Sequence, residues 1–97
     1  MKTLEEIKRI LGESKGLLRE RYRITQVGVF GSYARGEQTD RSDVDVLVDY
    51  EQAPTLFGVV ELRDYLSELI GLRVDVVTKN GLKARIRDRV LSEVIYL

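Results

Sequence analysis

Alternating apolar and polar residues indicate where this chain forms strands, because successive side chains of a strand point to opposite faces. Residues 24–30 form one largely apolar run, which ends at Gly31, and the valine-rich residues 72–78 form another. Residues 43–50 alternate cleanly, with Val44, Val46 and Val48 on one face and Asp43, Asp45 and Leu47 on the other. The pattern predicts three β-strands.

Apolar residues at helical spacing predict helices before, between and after these strands. Thr3 and Glu6 match a capping box at the start of the first helix. Gly12 and Gly16 weaken this helix, each by about 1 kcal/mol relative to alanine, so its second half is the weaker one.

Turn and cap residues predict the remaining elements. Residues 32–42 are polar and turn-rich, with room for a short helix at their start. A helix that begins at Pro54-Thr55 is closed by Gly71. Asn80 is expected to cap a last helix, whose apolar positions repeat every four residues: Leu82, Ile86, Val90 and Val94.

The predicted order of elements is α-β-α-β-α-β-α. This order indicates an α/β (α+β) fold, with a small mixed three-stranded sheet and helices packed mainly on one face. Residues 1–97 are expected to form a single domain, because 97 residues are too few to add a second domain that binds a substrate.

The composition restricts the chemistry. Lysine plus arginine and aspartate plus glutamate number 16 each, so no global field attracts nucleic acid, and direct nucleic-acid binding is not expected. Cysteine and histidine are both absent, which excludes disulfides, thiolate zinc sites and the usual general base. Any catalysis must therefore use carboxylates, hydroxyls, basic side chains or a bound metal.

The N-terminal residues 1–6 are acidic and amphipathic, which is not the pattern of a signal peptide. The sequence has no apolar stretch long enough to span a bilayer. We therefore expect a cytoplasmic protein without a membrane partner.

Three aspartates are the candidate catalytic and metal-binding residues. Asp43 and Asp45 share a strand face with Cα atoms about 6.6–7 Å apart, so both can reach one hard cation such as Mg²⁺. Asp75 lies in the third strand, and it becomes a third ligand if the second and third strands are neighbours. It would then lie nearest an incoming nucleophile and could accept its proton, with two metal ions bridged by the acids.

Each of these aspartates also has a simpler interpretation. An Asp-X-Asp pair alone is usually a solvated strand edge, and Asp75 alone is more often paired with an arginine such as Arg73 or Arg85. The joint occurrence of the pair with a Gly-Ser turn favours the metal site.

That turn is Gly31-Ser32, which ends the first strand ten residues before Asp43. Glycine lets the backbone approach phosphate oxygens, and the Ser32 hydroxyl can add a donor. Arg35 and Arg41 lie in the same loop and are candidates to bind phosphate, or equally to pair with Glu37 or Asp40. Tyr33 could stack on a base, but packing against the sheet is the favoured interpretation.

The stretch from Gly31 to Glu37, followed by Ser42-Asp43-Val44-Asp45-Val46-Leu47-Val48, resembles the signature of the polymerase-beta-type nucleotidyltransferase superfamily. Within it, the chain is most similar to the minimal nucleotidyltransferase (MNT) proteins, and the third acid of that pattern falls on Asp75. The resemblance extends over nearly the whole chain.

The resemblance implies a magnesium-dependent enzyme that acts as the antitoxin of a HEPN-type toxin and transfers AMP from ATP to a tyrosine of that partner. Asp43 and Asp45 would hold Mg²⁺, Asp75 would assist the attacking hydroxyl, and Gly31 with Ser32 would hold the triphosphate. The partner protein would complete the site.

Two other functions remain open. One is a contact-only antitoxin that does not require catalysis. The other is nucleotidyl transfer to RNA or a small molecule, with a separate subunit that binds the substrate. The roles of Tyr96 and of the basic face of the last helix also stay open, although a solvated face or a partner contact is favoured for Lys83, Arg85, Arg87 and Arg89.

Overall fold

The computed structural model describes residues 2–97. Four strands form one sheet in the order β3-β2-β1-β4, with β1 Ile24–Phe30, β2 Val44–Tyr50, β3 Val74–Thr78 and β4 Ile95–Tyr96. β1 is antiparallel to β2 and β4, whereas β2 and β3 are parallel. The mixed sheet is confirmed, but it has four strands where the sequence predicted three.

Within residues 2–97, five α-helices pack on the sheet: α1 Leu4–Glu13, α2 Lys15–Tyr22, α3 Ser32–Arg35, α4 Leu56–Ile70 and α5 Ala84–Glu93. The predicted capping box is present. The Thr3 side chain accepts a hydrogen bond from the backbone amide of Glu6, and the Glu6 side chain accepts one from the backbone amide of Thr3. Thr55 caps α4 and Gly71 ends it in the left-handed conformation, as predicted.

The main core lies between one face of the sheet and the helices α1, α2 and α4. Val44, Val46 and Val48 all point into it, as the alternation predicted. The opposite face carries a smaller cluster of Leu47, Leu82 and Val90, which packs α5 against the sheet. Most helices therefore lie on one face, while α5 lies on the other, beside the aspartates.

The first predicted helix breaks into α1 and α2 at Ser14. The Ser14 hydroxyl donates to the carbonyl of Ile10 at 2.8 Å, a local bond that competes with regular helix. The break lies between Gly12 and Gly16, where the sequence predicted the weak half.

The predicted start of the last helix at Asn80 is wrong. Residues Lys79–Gly81 form a 3-10 turn, in which the Thr78 side chain accepts from the Gly81 amide. Asn80 lies inside this turn, and its side-chain amide donates to the Tyr50 hydroxyl at 3.5 Å. The helix begins after Lys83, which has no side-chain capping bond.

The last helix is also shorter than its apolar spacing predicted. Val94 is extended rather than helical, and it leads into β4, whose residue Tyr96 lies opposite Gly28 of β1. A Cβ on Gly28 would lie 2.6 Å from the Val94 side chain, so a glycine at this position lets the C-terminal segment approach the sheet.

No helix within residues 2–97 has both the length and the apolar character needed to cross a membrane.

Candidate active site

Asp45 and Asp75 are direct partners in the parallel register of β2 and β3. Their side chains therefore leave the same face of the sheet, the face that also carries Leu47. Asp45 is half-buried and Asp75 is exposed. The condition set by the sequence, that the second and third strands be neighbours, is met.

Asp43 lies just before β2 and is exposed. Its Oδ1 atom forms an ion pair with Nε of Arg73, at 3.0 Å. The sequence offered Arg73 as a partner of Asp75, but the arginine pairs with Asp43 instead. A cation bound by Asp43 would have to share this carboxylate with Arg73 or displace it.

The carboxyl group of Asp45 has a raised pKa. Burial, followed by the negative charges of Asp75 and Asp43, raises its pKa from 3.8 to about 6, although Arg35 opposes the shift. The group is thus surrounded by charge of its own sign. A bound cation would relieve this repulsion.

Gly31 lies in contact with Asp45. Its φ of 75° and ψ of −153° belong to a region open almost only to glycine. A Cβ at residue 31 would collide with the carboxylate of Asp45. The turn after β1 and the carboxylate of Asp45 in β2 are therefore packed directly against each other.

Glu93, the last residue of α5, reaches the same turn, and sequence reasoning did not identify it. Its Oε2 atom accepts from the Gly31 amide at 2.7 Å, and the Arg35 guanidinium donates to both its oxygens, at 3.1 and 3.2 Å. Nε of Arg35 also donates to Glu37 at 2.6 Å. The pairing of Arg35 with Glu37 that the sequence left open is present.

The three other candidates of the loop differ in their exposure. Ser32 begins α3, directly after Gly31, and is half-buried. Tyr33 is buried in the main core, which confirms packing rather than an exposed stacking surface. Arg41 is exposed in the turn before Asp43, and its backbone carbonyl accepts from Arg73 at 2.9 Å.

Two open clefts flank Asp75. One, of about 390 Å³, lies under α5 and is lined by Phe30, Asp45, Asp75, Val77, Gly81, Leu82, Lys83, Arg85 and Ile86. The other, of about 590 Å³, is lined by Asp43, Arg63, Ser67, Gly71, Leu72, Arg73, Val74 and Asp75. Lys83, directly before α5, and Arg85, in its first turn, thus line the cleft that contains Asp45 and Asp75.

The donor set suits a hard divalent cation, because all its members are carboxylates and the carboxylate of Asp45 lies near the negative charges of Asp75 and Asp43. Within residues 2–97, however, no three acidic side chains converge as a preformed metal cluster. Asp45 and Asp75 are juxtaposed by the strand register, whereas Asp43 is engaged by Arg73.

The likeness to known proteins covers the whole chain. The protein adenylyltransferase MntA of Thermococcus cleftensis is 54% identical over 97 residues, which span 100% of this chain and 98% of the relative. A solved structure described as that of a minimal nucleotidyltransferase is 42% identical, covers 99% of this chain and 97% of its own, and superposes with a TM-score of 0.81.

A more distant likeness is to the MNT antitoxin of Shewanella oneidensis in complex with a tri-AMPylated HEPN toxin. It is 19% identical, covers 93% of this chain and 70% of its own, and has a TM-score of 0.69, which shows a common fold. The family model of the nucleotidyltransferase domain matches residues 5–97. This chain therefore belongs to the nucleotidyltransferase domain family.

Proposed function

We propose that this protein is a protein adenylyltransferase, the antitoxin of a HEPN-type toxin, which transfers AMP from ATP to a tyrosine of that partner. The observation that carries the proposal is the pairing of Asp45 with Asp75 directly beside the Gly31 turn. The 54% identity to a protein named as an adenylyltransferase supports the reaction, and the MNT–HEPN complex of the same fold supports the partner.

Different residues of the chain would bind the triphosphate and the magnesium ions. The Gly31-Ser32 turn offers backbone and hydroxyl donors to the triphosphate, and Arg35 and Arg41 lie where their charge can reach it. Asp43, Asp45 and Asp75 would hold Mg²⁺, expected as two ions, which when bound neutralise phosphate charge and stabilise the leaving pyrophosphate. Magnesium binding thus depends on the same acids as transfer.

The transfer step itself conserves atoms and charge. The tyrosine oxygen forms a bond to the α-phosphorus of ATP while the bond from that phosphorus to pyrophosphate breaks, and the hydroxyl proton passes to the carboxylate of Asp75. Asp75 is exposed and lines both clefts, so a nucleotide on one side and a hydroxyl of another protein on the other can both approach it.

The experiment is transfer of label from α-labelled ATP to a candidate toxin, namely a small helical protein encoded by a neighbouring gene, followed by intact mass. We expect AMP on a tyrosine of that protein, and loss of the label with a chelator or with Asp43→Asn plus Asp45→Asn. Asp40→Asn removes one exposed carboxylate of the same loop and serves as the control.

A stable complex without any mass change would contradict the enzyme and favour neutralisation by contact alone. Label on RNA or on a small molecule, rather than on the partner, would contradict the proposed substrate.

A further inference from the structure

Glu93 breaks a local rule of helix composition. It ends α5, and a negative side chain is unfavourable there because the C-terminus of a helix carries partial negative charge. The last turn of α5 contains no basic residue to offset it. Such local conflicts tend to lie at functional positions.

The conflict is resolved outside the helix. The Glu93 side chain is only 16% exposed, and it faces the turn that follows β1. One carboxylate accepts from the Gly31 amide, at the start of the turn, and from the Arg35 guanidinium, at its end. The contact therefore ties both ends of the turn to α5.

Gly31 is consequently held from two directions. Glu93 fixes its amide, and the carboxylate of Asp45 fills the space beside its Cα atom. If the bond to Glu93 were lost, the peptide before Gly31 could rotate and the turn could move relative to Asp45. The geometry between the phosphate-binding turn and the acids thus depends on Glu93.

The pairing leaves Arg35 able to bind a further anion. Its Nε atom donates to Glu37 and its Nη1 atom to Glu93, while Nη2 makes no hydrogen bond to residues 2–97. Arginine offers five N–H donors in a fixed plane, so two carboxylates can orient the group while the donors of Nη2 remain available.

We propose that Glu93 is a positioning residue of the nucleotide site, which holds Gly31 and Arg35 in the geometry that binds the triphosphate. The inference rests on the proposed function in that it takes ATP as the ligand of the turn. An opposite role, in which Glu93 competes with phosphate for Arg35, is the alternative that the experiment separates.

The experiment compares the wild type with Glu93→Ala and Glu93→Gln in the transfer assay, and measures MgATP affinity separately by calorimetry. We expect Glu93→Ala to raise the KM and the Kd for ATP about tenfold, the effect of losing a charge-assisted bond, with a smaller change in kcat. Glu93→Gln keeps an acceptor for the Gly31 amide and is expected to recover affinity to within about threefold of the wild type.

Glu13→Ala is the matched control, because Glu13 also ends a ten-residue helix and pairs with an arginine, Arg9, at 3.3 Å. Glu13→Ala should leave the KM and the Kd for ATP unchanged. If Glu93→Ala does not fold, Glu93→Asp replaces it, since its carboxylate keeps the charge but is one methylene too short to reach Gly31 and Arg35 together.

The amide signal of Gly31 in ¹⁵N–¹H spectra gives a test that needs no partner. It should shift upfield in Glu93→Ala and remain near its wild-type position in Glu93→Gln. Unchanged or tighter ATP binding by Glu93→Ala would overturn the positioning role, and tighter binding would identify the competing one.

The two proposals fail in different ways. A wild type that binds MgATP but labels no partner contradicts the transfer reaction, while the ratio of the Kd values still tests Glu93. A wild type that binds no ATP overturns both.

Discussion

The carboxylate of Asp45 occupies the space where any residue other than glycine would place its Cβ at position 31. The first acid of β2 and the turn after β1 are therefore one packed unit. Residue 31 is restricted twice, by this contact and by a backbone conformation open almost only to glycine.

Gly31→Ala should accordingly impair transfer severely. The added methyl group must displace Asp45, and the positive φ adds a backbone cost, so we expect kcat/KM to fall at least about a hundredfold and stability to fall by about 1–3 kcal/mol. Gly71→Ala places a methyl group at a similar φ of 81°, in the left-handed region and with nothing within 4 Å of the new Cβ, so it is the control for an alanine at positive φ without a steric contact. Equal activity of the two variants in steady-state assays would contradict the contact.

The metal-free protein should gain stability when Asp45 loses its charge. Its pKa is about 6 in the folded protein and 3.8 when unperturbed, so the folded state binds the proton more tightly. The group therefore stabilises the fold below pH 3.8, and this contribution is lost as the pH rises through 6.

Urea unfolding with a chelator present measures this effect. At pH 8, Asp45→Asn should be more stable than the wild type by about 1 kcal/mol, a value discounted for the partial exposure of the group. Below pH 4 the difference should vanish, and Mg²⁺ should stabilise only the wild type at pH 8. Asp40→Asn, at an exposed loop position, should not show this pattern.

Removing Arg73 should strengthen magnesium binding. The Arg73–Asp43 pair is largely exposed, so it contributes at most about 1 kcal/mol to stability, yet it engages a carboxylate that we propose as a ligand of the cation. We expect Arg73→Ala to lower the Mg²⁺ concentration for half-maximal transfer about two- to fivefold. Arg9→Ala removes an equal charge from an exposed pair on α1 and should leave this concentration unchanged.

Tyr33 should matter for stability and not for nucleotide affinity. Because its ring is buried in the main core, Tyr33→Leu is expected to cost about 1–3 kcal/mol in chemical denaturation. The KM for ATP should change less than about twofold, since a buried ring offers no face to a base. A large rise in the KM for ATP with little loss of stability would instead support stacking of Tyr33 on the base.

Much of the fold follows from local patterns. The alternation along residues 43–50 predicted which valines enter the core, and the capping box and Gly71 predicted helix ends. In each case the physical cause acts within a few residues. The juxtaposition of Asp45 and Asp75 was predicted for the same reason, on the condition that β2 and β3 are neighbours, because position in a strand determines which way a side chain points.

What the sequence missed depends on distant contacts. Val94 continues the four-residue spacing of α5, and only its packing against Gly28 shows that the chain has become extended. Glu93 belongs to no motif, since its partners lie 62 and 58 residues away. The preference of Arg73 for Asp43 over Asp75 likewise depends on geometry that periodicity does not contain.

The parallel pairing of β2 and β3 has a consequence for how this protein acquires activity during folding. Asp45 and Asp75 become neighbours only after residues 51–73 have crossed over the sheet. Closing this long connection between two parallel strands costs chain entropy before the contacts between the strands form. A fragment that ends before β3 contains half of the acid pair and none of α5. Catalysis therefore requires completed tertiary structure, and on heating it should disappear in the same cooperative transition as the sheet.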